Sequence, residues 1–341
     1  MASGALLLST GHERVDRFLQ TTISRFATAF PGRVCAFYIE GSYANGTSLA
    51  TSDLDLTIVF REHFADEAER ASATALAHEC AALSPVEFDA EIVDEATLSG
   101  GTSPQFKLGS RLLSGEEIRA KIPLMPLEVW TRHRMHAAYR LMVTAFHRPP
   151  VVRLPLGFPD PTDPWGGYAS RKIRLPDGTE APSTRNLIRT TGWAATALIA
   201  LKARQYVVTK RDCHLLYRAV INDEWAALFE DIYHVCRENW QYLIPARHED
   251  QQRLRAICER ALAFENHFLG IYKHFLLAQL RAADEAARQE ALQAVGAVVY
   301  ADRQIISVIQ CEIPTQMQEL ARQTLQRIQE VLRLDQRNHV T

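Results

Sequence analysis

Ile39-Glu40-Gly41-Ser42-Tyr43-Ala44-Asn45-Gly46-Thr47, followed closely by Ser52-Asp53-Leu54-Asp55-Leu56, is the stretch on which the reading of this chain turns. Just before it, VCAFYIE (34–40) is a short apolar run of the kind that forms a buried strand. LDLTIVF (54–60) reads as a second strand. Between them lies a polar loop with glycines at both ends of its first half. On a strand, residues two apart point to the same side. Asp53 and Asp55 therefore project together, while Leu54 and Leu56 face a core. Two carboxylates so close repel each other unless a cation sits between them.

Outward from this stretch the pattern is regular. Val15, Phe18, Leu19, Ile23, Phe26 and Phe30 recur at helical spacing, and Pro31-Gly32 ends that helix. The Ala-rich segment 67–83 predicts a helix. VEFDAEIV (86–93) alternates apolar and acidic residues and predicts a third strand with one face buried. Its polar face carries Asp89 and Glu91. Residues 106–146 predict helix with a break at 123–126. Residues 148–184 are rich in Pro and Gly, with Pro176-Asp177-Gly178 as a hairpin turn between short strands. From 186 to the end the pattern is helical, interrupted at Pro245 and Pro314. The expected fold class is therefore α/β (α+β): a small mixed sheet with helices in the N-terminal part, then an all-helical C-terminal part. The expected domains are 1–125, a connecting segment 126–185 with the Pro/Gly-rich excursion, and 186–341.

Composition narrows the function classes. The net charge of −2 gives no general attraction to nucleic acid or anionic membrane, so DNA and membrane partners are not expected. No run approaches the roughly 18 uncharged apolar residues that span a bilayer. The opening MASGALLLSTGHERVDRF has an apolar patch without a basic leader, which predicts no signal peptide. The six cysteines are scattered with no CxxC, a pattern of free thiols in a reducing compartment. A cytoplasmic protein is the expectation. The twelve histidines show no metal-ligand spacing; His133 and His136, three apart, predict a structural role.

The acids and glycines point to phosphate chemistry. Nucleotidyl transfer needs divalent metal to offset charge on the triphosphate, and Mg²⁺ takes oxygen ligands. Gly41 lets backbone approach phosphate, and the Ser42 hydroxyl can hydrogen-bond phosphate oxygens. A third carboxylate beside Asp53 and Asp55 can ligate metal and deprotonate a hydroxyl. Distance from the strand end favours Asp89 for that place over Glu91, which shares its face.

With Gly41-Ser42 after one strand, Asp53-Leu54-Asp55 on the next and an acid on a later strand, the chain resembles the DNA polymerase β-like nucleotidyltransferase superfamily. The resemblance implies two Mg²⁺ ions, an NTP donor, Asp53, Asp55 and Asp89 as catalytic metal ligands, and Gly41, Ser42 and Ser52 at the nucleotide. Residues 186–245 are similar to the helical half of aminoglycoside adenylyltransferases, in which a Ser-Lys or similar pair follows an apolar helix. Thr209-Lys210 matches that pair and implies that Lys210 faces the nucleotide phosphates. Residues 106–122 resemble the segment after the catalytic sheet of such enzymes. The similarity is clear over 34–122, weaker over 186–245, and lost in 148–184 and beyond 250.

The resemblance implies an adenylyltransferase that moves AMP from ATP onto a hydroxyl of a small, aminoglycoside-like molecule. A protein or tRNA acceptor, as in toxin–antitoxin systems, is the alternative, and a non-catalytic nucleotide-sensing module is a third reading. Lys107 and Arg111 read as a solvated helix face; Trp193, Trp225 and Trp240 as core. Trp165 and Tyr168 read as loop anchors or as rings for stacking on substrate.

Overall fold

In the N-terminal helix α1 (Glu13–Ala29), Val15, Phe18, Leu19, Ile23 and Phe26 fall on one stripe and are buried. Phe30 closes it, and Gly32, at φ +76°, turns the chain into β1 (Val34–Glu40). This computed structural model describes residues 6–175 and 177–338. After β1 comes a single helical turn, α2 (Gly41–Ala44), then β2 (Leu54–Phe60), α3 (Glu67–Leu83), β3 (Phe88–Asp94) and α4 (Glu95–Ser99). Asp66 caps α3, its carboxylate accepting from the Glu69 N–H at 2.8 Å. Asp94 ends β3 and caps α4 in the same way, accepting from the Thr97 N–H at 2.8 Å.

A π-type turn at Gln105–Gly109 leads to β4 (Arg111–Gly115). The four strands form one mixed sheet in the order β3-β2-β1-β4. β2 runs antiparallel to β1 and parallel to β3, and β4 runs antiparallel to β1.

The strand β4 corrects the expectation of helix through this region. Its five residues carry too short a pattern to announce a strand. The cause is long-range: β1 would otherwise leave a row of unpaired N–H and C=O groups at its edge. Leu113 turns into the core, fully buried. Gly115 holds φ +93°, and a Cβ there would lie 2.1 Å from the Cys35 carbonyl oxygen, so only glycine fits.

Each face of the sheet has its own chemistry. Phe37, Ile39, Leu54, Leu56, Ile58 and Phe60 pack under α1 and α3 with Phe18, Ile23, Phe26, Ala73 and Ala77. The small residues Ala73, Ala77 and Cys80 form the buried side of α3. On the opposite face, one half is apolar: Ala36, Tyr38 and Val59 pack with Leu98, Phe106, Ile118 and Ile122. The other half of that face is acidic.

Contact density divides the chain into two compact units. The first comprises Met1–Leu127, Lys172–Pro182 and Tyr206–Cys213; the second comprises Glu128–Arg171, Ser183–Gln205 and His214–Thr341. The second begins with α5 (Leu127–Thr144), then β5 (Val151–Val152) and α6 (Arg185–Leu198); between these in the chain lie β6 (Arg171–Arg174) and β7 (Glu180–Ser183), which pair with each other and belong largely to the first unit. In the hairpin turn expected at 176–178, Pro176 lies outside the described residues, and the Gly178 N–H donates to the Leu175 carbonyl at 2.9 Å. Helices α7 (Lys210–Leu216), α8 (Ala226–Glu230), α9 (His248–Leu280) and α10 (Glu285–Ala297) follow, then β8 (Val299–Tyr300), α11 (Arg303–Cys311) and α12 (Gln318–Asn338).

Inside the second unit, Tyr139 stacks on Tyr272 with centroids 4.3 Å apart, and the Tyr272 hydroxyl meets His136 Nδ1 at 2.8 Å. His136 is thus a buried structural residue. Tyr168 is fully buried and donates to Glu265 at 2.8 Å, so it anchors the Pro/Gly-rich segment. Trp193, Trp225 and Trp240 are half-buried, not fully enclosed in a core. Five of the six cysteines are buried and none forms a disulfide. Among the described residues, no helix is long and apolar enough to cross a membrane. The fold is mixed α/β, with a small mixed sheet in the N-terminal region and a largely helical C-terminal region.

Candidate active site

Register places the acids. Asp55 on β2 pairs with Glu40 on β1 and with Asp89 on β3, while Thr57 pairs with Glu91. Side chains at paired positions share a face. Glu40, Asp55, Asp89 and Glu91 therefore line one strip at the end of three neighbouring strands, and Asp53, two residues before Asp55, extends it.

Next to the strip the chain reverses at α2. Gly41 has φ +64°, and a Cβ on it would stand 2.6 Å from Asp55 Oδ2. The Asp55 carboxylate thus lies directly against the backbone of the turn, in space that only glycine leaves open. Ser42 follows, half-buried, and its carbonyl accepts the Thr47 N–H at 2.9 Å. Asn45 Oδ1 receives the Thr47 N–H at 3.2 Å, which fixes the next bend at Gly46. Ser52 is buried, and its hydroxyl accepts the Leu49 N–H at 2.9 Å, so it clamps the loop just before Asp53.

Burial and crowding show in the acidities. The Asp55 carboxyl is pushed up to about 7, by burial first and by Asp53 second, with Glu40 and Asp89 adding to the rise. Lys210 acts in the other direction, favouring the Asp55 carboxylate. Burial raises Glu40 as well, opposed by the hydrogen bond from the Thr57 hydroxyl and reinforced by Glu91. Glu91 is raised by burial and then by Asp89.

Lys210 belongs to the first unit through the segment Tyr206–Cys213. It opens α7 under a reciprocal cap: the Asp212 N–H donates to the Thr209 hydroxyl at 3.0 Å, and the Thr209 N–H to the Asp212 carboxylate at 3.0 Å. Thr209 is thus the capping residue that sets Lys210 at the first helical position. The Gln105 side-chain amide donates to the Val207 carbonyl at 2.8 Å, and the Tyr206 hydroxyl to the Met125 carbonyl at 2.6 Å, tying this segment to its unit.

Asp53, Asp55, Asp89, Glu91, Gly41, Ser42, Ser52 and Lys210 are the residues the sequence pattern points to. Glu40 and Thr57 were missed. The available signal was that Glu40, an acid closing an otherwise apolar strand, precedes the glycine turn. Arg111, read as part of a helix face, instead starts the edge strand β4 with its guanidinium 3.5 Å from the Ala44 carbonyl of the turn. Lys107 donates to the Arg119 carbonyl.

The donor chemistry suits a hard divalent cation: carboxylate oxygens beside hydroxyls and backbone, without sulfur or imidazole. The acids line a strip without closing on one point; among the described residues, no three His, Cys, Asp or Glu side chains converge as a closed ligand set.

No curated protein matches the chain. Residues 19–150, which run from within α1 through the sheet and beyond α5, match the family model described as the nucleotidyltransferase domain, and that match supports a transferase of nucleoside monophosphates.

Proposed function

We propose that the protein transfers AMP from ATP to a hydroxyl group of a small acceptor, releasing pyrophosphate. The acceptor oxygen attacks the α-phosphorus as the bond from that phosphorus to the bridging oxygen of the β-phosphate breaks. The hydroxyl proton passes to the Asp89 carboxylate. Asp53, Asp55 and Asp89 would hold two Mg²⁺ ions, whose chemistry is to neutralise charge on the triphosphate and acidify the acceptor hydroxyl. Gly41 and Ser42 cradle the triphosphate, Ser52 braces the loop that carries Asp53, and Lys210 offsets charge on the departing pyrophosphate. In this reading residues 1–125 are the catalytic domain, 126–185 connect, and 186–341 are the helical domain.

The observation that carries the reading is the Asp55 carboxylate seated 2.6 Å from where a Gly41 side chain would begin, amid further acids. A half-buried carboxylate repelled by its neighbours costs stability, and sites of chemistry are where such costs are retained. The match of residues 19–150 adds independent support.

Labelled ATP, Mg²⁺ and a panel of hydroxylated small molecules, proteins and tRNA test it. The expected result is a nucleotide adduct on a small molecule that disappears with Asp53→Ala. Adduct on protein or tRNA alone would replace the acceptor class, and tight Mg-ATP binding without any adduct would replace the transferase with a nucleotide sensor.

A further inference from the structure

Several arginines of the second unit are matched to carboxylates. Arg132 meets Asp284 and Glu290, Arg148 meets Glu265, and Arg218 meets Glu230. Arg134 and Arg189 are not. Among the described residues neither has a hydrogen bond or an ion pair; both rest on aromatic rings instead. The Arg134 guanidinium, from α5, lies 4.7 Å from the Trp193 ring centroid and 5.7 Å from that of Trp130. Arg189, one turn before Trp193 on α6, lies 5.5 Å from the same Trp193 ring.

The two positions differ in exposure. Arg189 is exposed and solvated. Arg134 is half-buried, and its surroundings disfavour its charge enough to bring it down to about 10. An indole face attracts the cation but accepts none of the five N–H donors, which lie in the guanidinium plane. Those donors have no partner among the described residues, and the planar fork matches carboxylate and phosphate oxygens.

We propose that Arg134, Trp193 and Arg189 form a binding site in the second unit for a small oxyanion, a molecule bearing phosphate or carboxylate groups. Trp193 orients both guanidiniums, Arg134 supplies the half-buried fork, and Arg189 stands at the solvent side. None of these residues belongs to the acidic strip, and the site does not depend on the transferase reading.

The test is calorimetric titration of the full chain with tripolyphosphate, in EDTA and without NTP. One saturable site is expected, weakened about tenfold or more by Arg134→Gln, the scale of a charge-assisted hydrogen-bond pair. Arg189→Gln, at an exposed position that leaves folding intact, is expected to weaken it several-fold, and Lys210→Ala to leave it unchanged. Trp193→Phe should reduce the fluorescence change on binding. Citrate competing for the site extends the ligand class to carboxylates; citrate failing to compete confines it to phosphates. The proposal is overturned if there is no saturable binding, if Arg134→Gln and Arg189→Gln both bind as tightly as the parent, or if Lys210→Ala alone removes binding.

Discussion

Replacing Gly41 by alanine adds one methyl group at the tightest point of the acidic site. Two costs separate, because Gly46 has nearly the same positive φ and open space around it. At Gly46, φ is +70° and a Cβ would meet nothing within 4 Å. Gly46→Ala therefore measures the left-handed backbone alone, about 1 kcal/mol. At Gly41, φ is +64° and the Cβ meets Asp55 Oδ2 at 2.6 Å, against an ordinary contact of 3.4 Å or more. The carboxylate has to retreat by most of an ångström. A displacement of about 1 Å in a catalytic group costs on the order of 100-fold in rate.

Gly41→Ala is thus expected to lose about as much stability as Gly46→Ala, plus a contact term of about 1 kcal/mol, and to lose about 100-fold in kcat. Gly46→Ala should keep transfer activity within a few-fold. Thermal melts of both variants give the stability comparison, and steady-state adenylyl transfer gives the rates. Equal activity of the two variants would refute the reasoning, because the Asp55 contact would then have no catalytic consequence.

The Asp55 carboxyl, raised from 3.8 to about 7, holds its proton more tightly in the folded than in the unfolded chain. Its favourable contribution is complete below pH 3.8 and is lost as pH climbs through 7, so metal-free Tm should fall over that window. Asp55→Asn should flatten this fall and raise Tm at pH 8 in EDTA while abolishing transfer; an Asn variant that melts lower than the parent at pH 8 would contradict it. In Mg²⁺ the parent should gain stability chiefly above pH 7, measurable by melts with and without EDTA. Lys210→Gln is expected to lower kcat by about 10- to 100-fold through loss of charge on pyrophosphate, with KM for acceptor unchanged in steady-state assays. Glu265→Ala strands the Arg148 guanidinium, now 2.9 Å from its carboxylate, in a fully buried place. A loss of about 3 kcal/mol or more follows, visible as a Tm drop of several degrees.

Much of the sheet was legible because its strands are apolar runs bounded by strong punctuation. β1 and β2 fall on 34–40 and 54–60, where Pro31-Gly32 and the Asp53–Asp55 pair mark their starts. β3 begins two residues later than its alternation suggests and ends at Asp94, because that carboxylate is taken by the cap of α4. β4 could not be read locally: five residues become a strand only because β1 offers an unpaired edge. The relation of Lys210 to Asp55 has a motif but no local physics, since it depends on residues 206–213 joining a unit built mostly from the first third of the chain. Ser52 shows the limit at the level of one atom. Its type suits a phosphate ligand, yet its buried hydroxyl serves the Leu49 N–H, and sequence cannot say which partner a hydroxyl finds first.

Five carboxylates on one strip of sheet raise the question of how the fold tolerates them. Two unit charges at 4 Å repel by about 4 kcal/mol at an effective dielectric of 20, enough to unfold a marginal domain if several pairs ionised together. Two features of the chain limit the cost. Asp55 rises to about 7, so its repulsion is relieved by protonation; Glu40 and Glu91 are raised in the same direction, and Lys210 partly counters the charge on Asp55. The opposite face of the same strands is closed by Phe18, Phe26, Phe37, Leu56 and Phe60, each burying side-chain area worth roughly 1.5–3 kcal/mol. A sheet whose purpose was stability alone would gain from replacing Asp55 and Glu91 by Asn and Gln, and the register would not change. Keeping them ionisable makes sense where positive charge arrives from outside the chain. On the proposed reading that charge is divalent metal carrying nucleotide, and the apolar face beneath α1 and α3 is what lets the strip remain acidic until it comes.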